Sequence, residues 1–388
     1  MRVVVLGAGY AGLLVARSLE DALPTDVELV LVEEYGAHLI QHELHRVVRR
    51  PGFADDIVVS LDDLFDRAVV RQARVERVDP EARTVELADG GAIDYDVAAV
   101  CLGAETDFAG VPGVEANATP LKRLRDARRI RTDFLALLDD GDATDPRTVV
   151  VGGAGLSGIQ VAGELAELAR EEDAADHVRV LLVEQLDAVA PGFREDFQTA
   201  VHRELEARSV SVRTGATIER ATADEIRFVG DDAVRYDQFV WTGGIRGTDA
   251  LGGERPAVKS TLALDDRTFV VGDAGRVVDA EGTAVPASAQ AATREAKTAA
   301  RNVCRVVESE REGDPFSPRL DRFVFDSRGW LVSVGDGAVA QVGPSVFTGP
   351  AARALKVGVG TGYLAGAGAI RDALDLMREE YRGDAETR

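Results

Sequence analysis

The sequence predicts an α/β protein built from two Rossmann-like dinucleotide-binding domains, one inserted into the other, with a small C-terminal α+β domain. Three observations carry this. A glycine fingerprint, Gly7-Ala8-Gly9-Tyr10-Ala11-Gly12, follows at once on an apolar strand at 3–6. A second, Gly153-Ala154-Gly155-Leu156-Ser157-Gly158, follows a strand at 148–151. At 388 residues the chain also exceeds one compact core, since domains cluster at about 100–150 residues.

The first fingerprint joins its strand to a helix over 13–19. Its first glycine makes the tight turn, its second lets a pyrophosphate approach the backbone, and its third lets helix pack on strand. The helix N-terminus then faces the anion. A second strand, 27–32, ends at Glu33, 21 residues beyond Gly12, where a carboxylate can accept hydrogen bonds from ribose hydroxyls.

The design then repeats, with a helix over 159–169 and a strand over 178–183 that ends at Glu184. Repetition extends further. Ile93-Asp94-Tyr95-Asp96-Val97 leads to Gly103, and Val234-Arg235-Tyr236-Asp237-Gln238 leads to Gly243-Gly244. Segments 74–79 with 84–87, and 210–214 with 225–228, alternate as small antiparallel meanders do. Gly243 and Gly244 let the backbone come close to a bound nucleotide. Glu184 favours a free 2′-hydroxyl, and its neighbour Gln185 is not the arginine that suits a 2′-phosphate, so NADH is expected over NADPH. Segment 119–138, rich in Arg and Leu, predicts the helix that opens the insertion.

Composition narrows the function. A net charge of −22 excludes nucleic acid as partner, because such binders concentrate Lys and Arg to displace counterions. Hydrophobic residues at 45% and charged residues at 29% place the chain among globular proteins. The longest uncharged stretch near the C-terminus, 357–370, has 14 residues, short of the roughly 20 that cross a bilayer. Met1-Arg2 runs straight into strand, which leaves no room for a signal peptide and predicts an intracellular protein. Only four of the 45 basic residues are lysines, against 67 Asp and Glu, an excess of carboxylates suited to a salty, halophilic cytoplasm. Cys101 and Cys304 form no CxxC pair, so neither a redox dithiol nor a cysteine zinc site is expected.

With these motifs in place, the chain resembles flavoproteins of the pyridine-nucleotide disulfide oxidoreductase fold, whose first half holds FAD and whose inserted half holds NAD(P)H. That resemblance implies a later Gly-Asp segment against the FAD, and Phe269-Val270-Val271-Gly272-Asp273-Ala274 has this form. It implies FAD contacts at Gly7, Gly9, Tyr10, Ala11, Gly12, Glu33, Val75, Gly103, Asp273 and Ala289. NADH contacts fall at Gly153, Gly155, Gly158, Glu184, Gly243 and Gly244. The FAD domain is expected over 1–111 and 236–310, the NADH domain over 112–235, and an interface domain over 311–388.

Within that group the chain is similar to type II NADH dehydrogenases. The likeness runs through Val240-Trp241-Thr242-Gly243-Gly244-Ile245-Arg246-Gly247, an Ala-Gln helix expected over 287–307, Gly329-Trp330-Leu331-Val332-Ser333-Val334-Gly335 and a helical tail. It implies hydride transfer from NADH to flavin and then two electrons to a quinone, without proton pumping. Gln290 matches the first glutamine of the family pattern AQxAxQxG, an amide for a quinone carbonyl. Arg294 stands where a second glutamine is usual, and Ala296 replaces the glycine. Where the family often carries a glutamate after the second fingerprint, this chain has Gln160, which hydrogen-bonds but exchanges no proton near neutrality. His42 and Glu43, in a segment the family places near the flavin ring, are then the candidates for proton delivery. Arg294 and Lys356 are candidates to steady quinone charge.

A membrane quinone requires peripheral contact with the bilayer, expected on the cytoplasmic side. The apolar stripe Tyr363, Leu364, Ala367, Ile370, Leu374, Met377 and Tyr381 suits that contact, a homodimer contact, or packing within the C-terminal domain. Sulfide:quinone reductases depend on paired cysteines that Cys101 and Cys304 do not provide. Two alternatives stay open: a reductase of a ferredoxin-like carrier, which needs the same two sites and no membrane, and a flavin-binding sensor with little turnover.

Overall fold

The computed structural model describes residues 1–62, 64–139 and 145–355. Its helices, in chain order, are α1 (Tyr10–Ala22), α2 (His45–Arg49), α3 (Val114–Asn117), α4 (Leu124–Asp139), α5 (Leu156–Glu171), α6 (Glu195–Glu206) and α7 (Ala289–Glu312). Lys356 and the apolar stripe at 363–381 lie outside the described residues.

The first unit is a five-stranded parallel sheet in the order Thr268–Val270, Val97–Val100, Arg2–Leu6, Glu28–Glu33, Val69–Gln72. Val3, Val4, Val5 and Leu6 are fully buried, as a continuous apolar run must be in a parallel sheet covered on both faces. Helices α1 and α7 pack against each other on this sheet. Ala292, Ala296, Ala299 and Val303, at helical spacing on α7, face the same core as Leu13, Val15 and Leu19 of α1.

The second unit repeats the layout, with strands Thr119–Pro120, Gln238–Trp241, Arg147–Gly152, Val178–Val183 and Ser211–Arg213. Each unit carries an antiparallel meander: Val75–Asp79, Thr84–Leu87, Ala92–Asp94 in the first, and Ile218–Ala221, Glu225–Phe228, Ala233–Arg235 in the second.

Three boundaries differ from the sequence expectation. Gln238–Trp241 pairs with Arg147–Gly152, so the second unit continues past residue 235. Segment 210–214 is no meander strand; Ser211–Arg213 closes the second sheet. Val69–Gln72 is its counterpart in the first. Short edge strands alternate as meander strands do, so pattern alone does not separate them. The expected helix over 119–138 starts late, because Pro120 is in a strand and the Asp126 carboxylate accepts from the N–H groups of Lys122 (3.0 Å) and Arg123 (2.7 Å), capping a helix at Leu124.

After α7 the chain crosses the first unit, where the Asn302 amide donates to the Thr261 and Asp321 carbonyls. It then forms the antiparallel strands Trp330–Val334, Gly337–Val342 and Ser345–Thr348 on the second unit. Val332, Val334 and Val339 share a core with Val161 and Leu165 of α5 and with Val47 and Val48 of α2. The C-terminal segment thus binds one unit to the other. At Gly163 of α5 a Cβ would lie 2.5 Å from the Gly335 nitrogen and 2.8 Å from the Val334 carbonyl carbon. No helix among the described residues is long and apolar enough to cross a membrane.

Gly163→Val should therefore lower stability by about 1–3 kcal/mol through overpacking, read as a fall in Tm. Gly52→Ala, where a Cβ meets nothing within 4 Å, should leave Tm within about 1 °C.

Candidate active site

A cleft of about 1870 Å³ runs along the C-terminal ends of the first sheet, where open α/β sheets bind ligands. Gly7, Gly9, Tyr10, Ala11, Glu33, Val75, Gly103, Asp273 and Ala289 line it. The loop is shaped by backbone contact. Gly7 has φ +89°, and a Cβ on Gly12 would lie 1.8 Å from the Gly7 carbonyl oxygen, so α1 sits directly on the turn. At Gly9 a Cβ would meet nothing within 4 Å, and as N-cap it offers α1 no side-chain cap. The first N–H groups of α1 therefore stay available for an anion.

Glu33 ends the second strand with its carboxylate accepting from Ala8 N–H (2.6 Å) and Tyr35 N–H (3.2 Å). Burial raises its pKa against those bonds. At the far end, Gly272–Ala274 forms a single tight turn. The Arg255 guanidinium donates to the carbonyls of Asp273 and Gly275 at 2.7 Å each. Lys122 lines the cleft here; burial lowers its pKa while Asp273 opposes the shift. Glycines free of side chain, an uncapped helix start, a carboxylate at the end of the second strand and cationic residues near the Gly-Asp turn fit a dinucleotide such as FAD.

One wall carries proton chemistry. The Tyr10 hydroxyl accepts from the His42 backbone N–H (3.2 Å) and lies 2.5 Å from His42 Nδ1. His42 Nε2 is 3.5 Å from Glu43 Oε1, and Glu43 Oε2 accepts from Arg46 at 3.3 Å. Tyr10, His42 and Glu43 all line the cleft. His38, beside Tyr10, is buried and bonds through Nδ1 to the Ala8 carbonyl at 2.7 Å; burial drives its pKa down to about 4, which keeps it neutral.

The second fingerprint reaches the same cleft. Its glycines pack as in the first, with a Cβ on Gly158 falling 1.8 Å from the Gly153 carbonyl oxygen. Glu184 accepts from Ala154 N–H (2.7 Å) and Leu186 N–H (3.0 Å), as Glu33 does in the first unit. Leu156, Ser157 and Gln160, on the first turns of α5, line the cleft that also holds Gly9 and Tyr10. Behind Gln160 lies a buried polar cluster. Gln160 Nε2 donates to Ser333 Oγ at 3.4 Å, and Ser333 Oγ is 2.9 Å from His45 Nε2. His45 Nε2 stands 4.0 Å from Glu164, which pairs with Arg49 at 3.5 Å; Arg49 pairs with Asp336 at 2.5 Å.

Other expected residues lie elsewhere. Gly12, Gly153, Gly155, Gly158, Glu184, Gly243 and Gly244 do not line this cleft. Gly243 is a packing glycine, since a Cβ there would strike the Trp241 ring at 2.5 Å. Gln290, expected to offer its amide to a quinone, is engaged at both ends by a loop: Nε2 donates to the Gly329 carbonyl (3.0 Å) and Oε1 accepts from Arg328 N–H (3.1 Å). Arg294 lies beside the Phe325 ring, 6.0 Å from its centroid, and is not a cleft residue. Lys122, Ser333, His45 and Glu164 were not anticipated. They come from separate segments, and no spacing rule joins residues 45, 164 and 333.

Glu295 was also missed. Its carboxylate accepts from Gly272 N–H at 2.6 Å, and burial, helped by Asp273, pushes its pKa up to about 7. The folded protein thus holds a proton that the unfolded chain releases near pH 4.5, so this group's contribution to stability is lost as pH rises through about 7. Glu295→Gln keeps an acceptor for Gly272 and removes the titration. Tm measured from pH 5 to pH 8 should fall less steeply in the variant, which should be the more stable form at pH 8.

The architecture is shared with known proteins. The pyridine nucleotide-disulphide oxidoreductase family model matches residues 1–296. The type II NADH:quinone oxidoreductase of Staphylococcus saprophyticus is 27% identical over 386 residues, covering 92% of this chain and 93% of the relative. Among solved structures, NDH2 from Plasmodium falciparum in complex with NADH has a TM-score of 0.82 at 14% identity, covering 97% of each chain. The sulfide:quinone oxidoreductase from Aquifex aeolicus has a TM-score of 0.77 at 17% identity, covering 96% of this chain and 92% of that one. Fold alone therefore does not choose between electron donors, but it agrees with the motifs: this chain belongs to the pyridine nucleotide-disulphide oxidoreductase family.

Proposed function

We propose that this protein is an FAD-dependent NADH:quinone oxidoreductase. One observation carries the reading: residues from the helices of both fingerprints, Tyr10 of α1 and Gln160 of α5, line one cleft. Two dinucleotides held by those helices would meet there, and the likeness to type II NADH:quinone oxidoreductases over 92% of the chain supports a quinone as acceptor. Bound FAD would supply the redox chemistry, taking hydride from NADH and handing two electrons onward.

The protein's own part is to bind, orient and move protons. The N-termini of α1 and α5 hold pyrophosphates. Glu33 and Glu184 take ribose hydroxyls, and a carboxylate at Glu184 repels a 2′-phosphate, which favours NADH. Gly243, packed on the Gly153 turn, and its neighbour Gly244 border the nicotinamide nucleotide. A quinone leaves with two protons, and His42 would hand one over. Tyr10 and Glu43 flank its two ring nitrogens, so a proton given up at one is replaced from the other. The enzyme is read as non-pumping, working in a respiratory chain as a peripheral protein on the cytoplasmic side of the membrane. The carboxylate-rich surface suits high salt. The tether on Gln290 favours the alternative, a reductase of a ferredoxin-like carrier, because it removes the amide expected to meet a quinone.

The purified chain should be yellow, should bleach on anaerobic titration with NADH, and should recover its colour on addition of a short-chain quinone. A protein that stays colourless after incubation with FAD rules the reading out. Recovery with a one-electron protein acceptor alone supports the alternative. His42→Ala should slow reoxidation by quinone by about 100-fold while leaving reduction by NADH within about two-fold, measured by stopped-flow absorbance of each half-reaction.

A further inference from the structure

Gln160 faces the cleft with an amide, a group that presents either a donor or an acceptor according to how it is turned. Its nitrogen end is engaged by Ser333 Oγ at 3.4 Å. Ser333 is 2% exposed and so is His45, whose Nε2 lies 2.9 Å from the same hydroxyl. With one proton and two acceptor lone pairs, Ser333 Oγ accepts from Gln160 Nε2 and shares a second hydrogen bond with His45 Nε2. The carbonyl end of Gln160 is then the end left for the cleft.

We propose that Ser333, held by His45, is a positioning residue that fixes the Gln160 amide with its carbonyl oxygen toward the cleft, as acceptor for an N–H group of the nicotinamide nucleotide. The inference rests on the NADH reading above. It commits to the nicotinamide nucleotide because Gln160 is on the opening turns of α5, the helix that starts in the second fingerprint. Ser333 itself does not line the cleft and acts only through Gln160.

The setting makes the position rigid. Gly163, one turn along α5, lies in backbone contact with Val334 and Gly335, so the strand carrying Ser333 cannot drift from the helix carrying Gln160. His45 Nε2 stands 4.0 Å from Glu164 of α5, which pairs in turn with Arg49 of α2, and Arg49 pairs with Asp336 in the turn after the strand. A single hydroxyl joins sequence-distant parts of the chain at the point where orientation matters.

The test is a double-mutant cycle read by binding, without turnover. The dissociation constant of NAD⁺ is measured on oxidised, FAD-loaded protein from the perturbation of the flavin spectrum. Ser333→Ala should weaken binding by about five-fold, the scale of one hydrogen bond. Ser333→Thr, which keeps the hydroxyl, should stay within about two-fold of the parent. In a Gln160→Ala background, Ser333→Ala should add nothing, because its route to the ligand is gone. Unchanged binding in Ser333→Ala overturns the inference, as do losses that multiply in the double variant. Retention of FAD at parent stoichiometry checks folding in each variant. A parent protein that neither binds NAD⁺ nor is bleached by NADH overturns the function reading and this inference with it. A parent that does both while Ser333→Ala is silent overturns the inference alone.

Discussion

Where α5 meets the C-terminal strand, two backbones touch, because Gly163 has no side chain to hold them apart. Two dinucleotide-binding units are useful to each other only at a fixed separation, since transfer between bound groups tolerates little misplacement. The contact at Gly163 fixes one side of that relation. Helix α2, which belongs to the first unit by sequence, fixes the other by placing Val47 and Val48 in the core of the second. Arg131 of α4 closes the joint by donating to the carbonyls of Val48 (3.1 Å) and Arg49 (2.7 Å) at the end of α2.

Buried charge gathers at the same joint. Arg49 has a side chain only 2% exposed, and it faces Glu164, Asp336 and Glu171. Burial disfavours its charge, yet these carboxylates outweigh that effect and hold its pKa above the ordinary value. Such a cluster resists piecemeal change, because removing one member leaves another charged and unsolvated. Exposed pairs such as Arg74–Glu76 and Arg129–Asp133 contribute little by comparison. The acid-rich surface and the ionic interior are therefore separate matters: one concerns the solvent, the other the geometry between the units.

The acceptor end shows how a motif can keep its residue and change its use. Ser288 caps α7 by accepting from Ala291 N–H at 3.2 Å. Gln290, two residues on, braces the loop at 328–329 instead of facing the cleft. That loop leads directly into the strand bearing Ser333. An amide expected at the substrate thus supports the segment that carries another amide's partner. The cleft itself is met by the smaller side chains Ala289 and Ala292.

Much of this was legible in the sequence, for a local reason. Glycine fingerprints, the strands before them and the acids Glu33 and Glu184 act over a few residues whose backbone requirements only certain side chains satisfy, so spacing alone carries them. The same holds for the Gly-Asp turn and the alternation of the meanders. Edge strands such as Val69–Gln72 and Ser211–Arg213 were hidden, because their place depends on a neighbouring strand and not on their own pattern. The site behind Gln160 was hidden more deeply. Residues 45, 160, 164 and 333 become a cluster only when the C-terminal strand closes on α5. The chain by itself determined which glycine-fingerprint units form and where their helix N-termini begin; tertiary structure decided how the units face each other and which polar groups meet, because those contacts join segments that no local rule connects.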